Sequence, residues 1–270
     1  MKITFLGGGN MASALIGGLK KQGFAVAGIQ VVEPAAEARE RLTAAFGVRC
    51  AAMADAATLE CEALVLSVKP QVMREALAPV AAHLSTQLVI SIAAGLRMAD
   101  IGRWLGGYKR LVRTMPNTPA LIGAGITGLY ADPSVDREGR DMAEKILGAV
   151  GTVLWVADEA KMDAVTAVSG SGPAYVFYFI EALETAARKL GFDDVAARKL
   201  AVETFVGASR LAESSSEPVS VLRQRVTSKG GTTEAALNSF ASDAIAAAIG
   251  RGVKAADNRG RELGDLMGKD

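Results

Sequence analysis

A chain of 270 residues, half of them hydrophobic, is long enough for two domains with cores of their own and too apolar to be disordered. A formal charge of +1, with no basic run longer than Lys20 and Lys21, excludes the electrostatic footprint of a nucleic-acid binder and leaves a small molecule as the expected partner. Two cysteines, Cys50 and Cys61, lie outside any metal-ligand spacing, which points to a reducing compartment, unpaired thiols and no metal site.

The N-terminus reads as strand, tight turn and helix: Lys2 to Leu6 is apolar and β-rich, Gly7 to Gly9 turns, and Met11 to Lys20 has apolar residues at helical spacing. Its small and apolar residues superficially resemble a signal peptide, but Gly-Gly-Gly-Asn interrupts the apolar stretch. No later segment holds the roughly eighteen uninterrupted apolar residues of a membrane span, so a soluble cytoplasmic protein is expected. The turn spells G-x-G-x-x-A, with Gly7, Gly9 and Ala12 in the three fingerprint positions. The first makes the turn, the second admits a pyrophosphate, and the small third residue lets helix and strand pack closely. A second strand, Gly28 to Val32, ends at Glu33, where an acid can accept hydrogen bonds from an adenosine ribose. Leu6, Gly7, Gly8, Gly9, Asn10, Met11, Ala12 and Glu33 are thus the candidate contacts for NADPH or NADH. Glu33 argues for NADH, whereas Arg39 and Arg41 could approach a 2′-phosphate, so the preference stays open here.

Strand and helix patterns then alternate as a doubly wound, Rossmann-like sheet requires. Ala63 to Val68 and Leu88 to Ile92 are short apolar runs suited to parallel strands buried on both faces, with Gln71 to Leu84 reading as a helix between them. Leu111 to Thr114 and Gly125 to Tyr130 continue the sheet. Beyond the carboxyl ends of these strands, where function gathers in such sheets, fall Ser67-Val68-Lys69-Pro70, Ile92-Ala93-Ala94-Gly95 and Met115-Pro116-Asn117-Thr118-Pro119. After Trp155 the strand patterns cease. Glu159 to Asp270 reads as successive helices, broken at Gly191-Phe192-Asp193, at Ser214 to Pro218 and at Lys229-Gly230-Gly231. The expected organisation is an α/β nucleotide-binding domain over residues 1–158 and an all-helical substrate and dimerisation domain over residues 159–270. Near its start Ser169-Gly170-Ser171-Gly172-Pro173-Ala174-Tyr175 combines small residues with a proline tolerable only near a helix start or at a kink.

Val226 to Leu237, VTSKGGTTEAAL, places hydroxyls and glycines directly before a helix-forming run. Gly230 and Gly231 can turn through positive φ. The next backbone N–H groups then point outward with the helix's partial positive charge behind them, and a carboxylate would fit such a socket. Thr232 and Thr233 add hydroxyls that can cap the helix or face a ligand.

This string resembles the C-terminal signature of the pyrroline-5-carboxylate reductase family, which reduces a cyclic imine to L-proline. The SVKP, IAAG, MPNTP and SGSGPAY strings match that family in order. One departure is Lys229, where the family usually has proline. The resemblance implies hydride transfer from NADPH or NADH to an imine carboxylate. It places Val68, Lys69, Pro70, Ala93 and Ala94 along the nicotinamide half of the cofactor, with Asn117 nearby. It further implies that Thr233 hydrogen-bonds the ring nitrogen and that Gly230, Gly231 and Thr232, helped by Ser228, hold the carboxylate. Glu159 and Thr166 are carried over to the substrate's other side. Relatives interlock their helical halves as a dimer, and an apolar helical domain of only about 110 residues often completes its core through a partner, so a homodimer or an assembly of dimers is expected.

His83 is the sole histidine and reads as a surface or cap residue, so no His–Asp relay is available. An imine needs none, because its nitrogen can be protonated by water and the iminium carbon is already an electrophile. A hydroxy-acid dehydrogenase of the phosphogluconate-dehydrogenase type is the enzymatic alternative, but it typically needs a catalytic lysine on the first long helix, and here no lysine follows until Lys189. A non-catalytic NADPH-sensing protein would keep the fingerprint without a reason to keep the carboxylate socket. Arg225 falls where some relatives carry a polar Asn, and a solvated helix charge is its default reading.

Overall fold

The computed structural model describes residues 1–269. They form two compact units: Met1–Ser171 with the chain from Ala256 onward, and Gly172–Ala255. Strands do end at Trp155, yet the helical segments that follow directly, and the last helical turns of the chain, pack with the sheet. Compactness groups the chain up to Ser171 with the sheet, while the strand pattern itself stops near Asp158.

The first unit opens with β1 (Ile3–Leu6), α1 (Asn10–Lys21), β2 (Ile29–Val32), α2 (Ala36–Phe46), β3 (Arg49–Ala51) and β4 (Ala63–Leu66). It continues through α3 (Met73–Leu77), β5 (Leu88–Ser91), α4 (Met98–Trp104), β6 (Leu111–Met115), β7 (Gly125–Ala131), α5 (Arg137–Leu147), β8 (Gly151–Trp155) and α6 (Lys161–Val165). The eight strands lie in the order β3-β2-β1-β4-β5-β6-β7-β8, all neighbours parallel except β6 with β7. Strand order reverses at β1. The register sets Leu6 beside both Val32 and Leu66, so Gly7, Glu33 and Ser67 leave the sheet side by side at its switch point.

Side-chain alternation with period two fills both faces, as a sheet covered on both sides requires. Phe5, Val65 and Ile90 point into one core with Leu15, Ile16 and Leu19 of α1. Leu64, Leu66 and Val89 point into the other, with Met73 and Leu77 of α3. The helix expected over 71–84 is broken: a 3-10 turn at Pro70–Val72 leads into the short α3, and a second covers Ala81–His83. Pro79 explains the break, because it lacks an N–H and its ring crowds the carbonyl a turn earlier. His83 is exposed.

The second unit holds α7 (Gly172–Lys189), α8 (Asp194–Ser214), α9 (Val219–Arg225) and α10 (Thr232–Ser242), and α11 (Ile245–Met267) begins in it. Gly191, at φ +96°, turns the chain between α7 and α8, and the Asp193 carboxylate accepts from Ala196 N at 2.8 Å to cap α8. Pro173 sits second in α7, where its missing N–H costs nothing. Among the described residues no helix is long and apolar enough to cross a membrane.

Candidate active site

The glycine turn shows why each of its residues is small. Gly7 has φ +103°, and a Cβ there would lie 2.8 Å from Ser67 O. Its N–H donates to Val32 O at 2.8 Å, which ties the turn to β2. At Gly8 a Cβ would meet Leu42 Cδ1 at 2.5 Å, whereas at Gly9 it would meet nothing within 4 Å. Gly9 is also the N-cap of α1, with no side chain capping it and no acid in the first turn. The opening N–H groups of α1, at Asn10 and Met11, have no intrahelical acceptor and no capping side chain, and the space over Gly9 is open, an arrangement that suits a pyrophosphate. Ala12 is fully buried against the sheet, as close helix–strand packing demands.

A cleft of about 700 Å3 runs along this end of the sheet, lined by Leu6, Gly7, Gly8, Gly9, Glu33, Val68 and Lys69 among the residues expected from sequence. It is also walled by Pro34, Ala52, Met53, Val72, Ala76 and Pro79, which sequence reasoning missed. The signal was weak. Ala52 and Met53 follow β3, a three-residue strand too short to stand out as a pattern. The Glu33 carboxylate sits in the wall, accepting from Gly8 N at 2.9 Å and from Ala35 N at 3.0 Å. Those bonds leave about two of its lone-pair sites for ribose hydroxyls.

Asn10, Met11, Ala12, Pro70, Ala93, Ala94 and Asn117 do not line that cleft. Pro70 begins the 3-10 turn, Ala93 is buried beyond β5, and Ala94 is exposed just before Gly95, whose φ is +79°. Asn117 is buried and spends its amide inside the protein. Its Nδ2 donates to Ser169 O at 3.2 Å and its Oδ1 accepts from Ile126 N at 3.0 Å. The amide clamps the loop after β6 to a π-helical turn at Thr166–Gly170, a distortion often found at functional sites. Thr166 Oγ1 donates back to Met162 O at 2.8 Å within the same segment.

Glu159 has structural partners. Its Oε1 accepts from Met98 N at 2.8 Å, at the start of α4, and from Arg113 Nη1 at 3.1 Å. Arg113, on β6 and 4% exposed, also pairs with Asp163 at 3.2 Å, so one buried guanidinium joins two carboxylates. Neither Arg113 nor this triad was picked out in the sequence.

In the second unit the socket differs from its expected form in one respect. Gly230 has φ +73° as the turn requires, but its N–H donates to Glu234 Oε2 at 2.7 Å. Gly231 N donates to Ser228 O at 3.0 Å. Both glycine N–H groups close the turn instead of facing a ligand. The outward donors are one residue further on, at Thr232 and Thr233, the first two positions of α10, where no side chain caps the helix. Ser228 and Thr232 are exposed and Thr233 half-buried.

A mostly parallel sheet with a glycine turn at its switch point, an uncapped helix behind it and an acid ending the next strand defines a dinucleotide-binding fold of the oxidoreductase kind. Residues 2–95 match the family described as NADP oxidoreductase coenzyme F420-dependent, and residues 159–263 match pyrroline-5-carboxylate reductase dimerisation. The chain is 44% identical to pyrroline-5-carboxylate reductase of Pseudomonas aeruginosa over 99% of this chain and 98% of that protein. The structure of a pyrroline-5-carboxylate reductase from Coxiella burnetii superposes with a TM-score of 0.92 at 39% identity, covering 97% of this chain and 98% of that one. The Plasmodium falciparum pyrroline carboxylate reductase, solved with NADP bound, gives 0.85 at 28% identity and 98% of both chains. The chain belongs to the pyrroline-5-carboxylate reductase family, as its SVKP, MPNTP, SGSGPAY and TSKGGTT strings led one to expect.

Proposed function

We propose that the protein reduces the cyclic imine 1-pyrroline-5-carboxylate to L-proline, with a nicotinamide dinucleotide held by the first unit and the substrate carboxylate by the α10 turn of the second. The observation that carries this reading is the open face at Gly9, where the uncapped start of α1 meets the switch point of the sheet. A bound reduced nicotinamide supplies the hydride that the imine carbon accepts. Asn10 and Met11 N–H hold the pyrophosphate, and Glu33 takes the adenosine ribose. Val68, Lys69, Pro70, Ala93 and Ala94 flank the nicotinamide half.

Thr232 and Thr233 N–H, with the Ser228 hydroxyl, hold the carboxylate, and Thr233 Oγ1 fixes the ring nitrogen. Gly230 and Gly231 shape that turn. Asn117, Glu159 and Thr166 support the site through the bonds they make within the first unit. Holding the two reacting carbons in register supplies most of the rate, since the iminium needs no relay to activate it. The two free cysteines suit a reducing compartment, and we place the enzyme in the cytoplasm as a homodimer or an assembly of dimers. Loss of reduced-nicotinamide absorbance on adding the cyclic imine, with proline as product, tests the activity. A folded protein that binds the dinucleotide but turns over no imine would sink it.

A further inference from the structure

The cleft carries an answer to which dinucleotide it prefers. We propose that Glu33 selects NADH over NADPH, an inference that rests on reading the cleft as the dinucleotide site. Discrimination between the two falls at the adenosine 2′ position, beside the end of the second strand. Here the backbone donors beside the carboxylate in the cleft wall are committed to it. Gly8 N–H and Ala35 N–H both donate to the Glu33 carboxylate, and Pro34 has no N–H to offer. Two backbone bonds fix the carboxylate in the wall, so it cannot swing away from an incoming anion.

The arginines do not compensate. Arg39 Nη1 donates to Glu33 O at 2.8 Å and to Pro34 O at 2.6 Å, which ties the guanidinium to main-chain carbonyls. Arg41 follows two residues later on α2, about 200° around the helix, and is exposed. Neither arginine lines the cleft. Its lysine, Lys69, comes from the β4 side, with β1 intervening and strands about 4.8 Å apart. The other acid, Glu75, adds to the negative charge of the wall. A ribose with two free hydroxyls can donate to Glu33's remaining lone pairs, whereas a dianionic phosphate meets a fixed like charge in the cleft wall.

Titration of the ligand-free protein with NADH and with NADPH, followed by calorimetry, tests this without turnover. NADH should bind at least about tenfold more tightly, and the ratio should fall as salt is raised. Adenosine 5′-monophosphate should compete with NADH better than adenosine 2′,5′-bisphosphate does. Glu33→Gln keeps the side chain's shape and one acceptor while removing the charge, and should bring the two affinities within about threefold, through tighter NADPH. Glu33→Asp keeps the charge and should keep the preference. Equal or tighter NADPH binding by the wild type overturns the proposal, as does an unchanged ratio in a folded Glu33→Gln. If folded wild-type protein binds neither dinucleotide, the reading of the cleft falls and takes the selectivity with it, an outcome already visible in the NADH titration.

Discussion

Two glycines of one turn answer to different demands, and substitution should separate them. At Gly9 a new side chain meets no protein atom, so Gly9→Val should leave thermal stability nearly unchanged while filling the space a pyrophosphate needs. Calorimetry with NADH should then show binding lost in a folded protein, and wild-type affinity would refute the assignment. Gly7→Ala should instead destabilise by roughly 1 kcal/mol or more, because positive φ and the Ser67 carbonyl both oppose a Cβ. The spacing of these glycines was legible in the sequence, since a turn signature is local. Which N–H groups of the second turn stay free was not, because that depends on how Ser228 and Glu234 close it. The bonds that hold Glu159 were not legible for a similar reason: its partner Arg113 lies 46 residues away on β6, and no linear pattern joins them. At Thr233 the proposed hydrogen bond to a charged ring nitrogen is worth roughly 1.5–3 kcal/mol, so Thr233→Ala should lower kcat/KM about ten- to hundredfold. Thr233→Ser should retain most activity. Thr232→Ala, which keeps its N–H, should be milder. A near-normal Thr233→Ala beside a crippled Thr232→Ala would reverse the two roles.

Short, mostly apolar runs bounded by turn residues marked six strands of the sheet, because burial on both faces favours apolar side chains along them. β3 escaped because an edge strand of three partly exposed residues carries no such run. The interrupted helix around α3 was misjudged because apolar spacing outweighed one proline in the reading, whereas in the fold the missing N–H prevails. Between β6 and α6 the decisive contact is ionic. Arg113→Leu would strand Glu159 and Asp163 without their shared cation and should cost about 3–5 kcal/mol, read as the shift of a urea midpoint. α5 offers a pH test. The Gly139 N–H, with help from Arg110, holds the Asp136 carboxyl below its ordinary range. A depressed folded pKa means the ionised cap stabilises fully above the unfolded pKa, and that contribution is lost as pH falls through the folded one. The Tm gap between wild type and Asp136→Asn should accordingly be present at neutral pH and close in acid. A gap that widens on acidification would contradict this.

For the molecule as a whole, the second unit poses a stability question that a single copy does not answer. Of its helices, α7, α9 and α10 bury no residue fully and α8 buries only Ala197 and Ala201. Phe177 and Tyr178 on α7 are 64% and 69% exposed, and Val195, Leu200 and Leu211 on α8 are exposed as well. Each such side chain, once covered, would contribute roughly 1.5–3 kcal/mol, so leaving the set in water forfeits much of what could hold these helices together. Residues 159–263 match a dimerisation family, and a second copy of the same surface is the self-complementary cover that two-fold symmetry provides. If the second unit is ordered by that pairing, folding and association are one equilibrium and the unfolding midpoint must rise with protein concentration. Sedimentation should find no monomer at assay concentrations, and Phe177→Asp, which places a charge in the covered face, should shift the protein toward monomer and cost activity in proportion. A wild-type monomer that turns over substrate, with a Tm independent of concentration, would show that the exposed face serves some purpose other than holding two copies together.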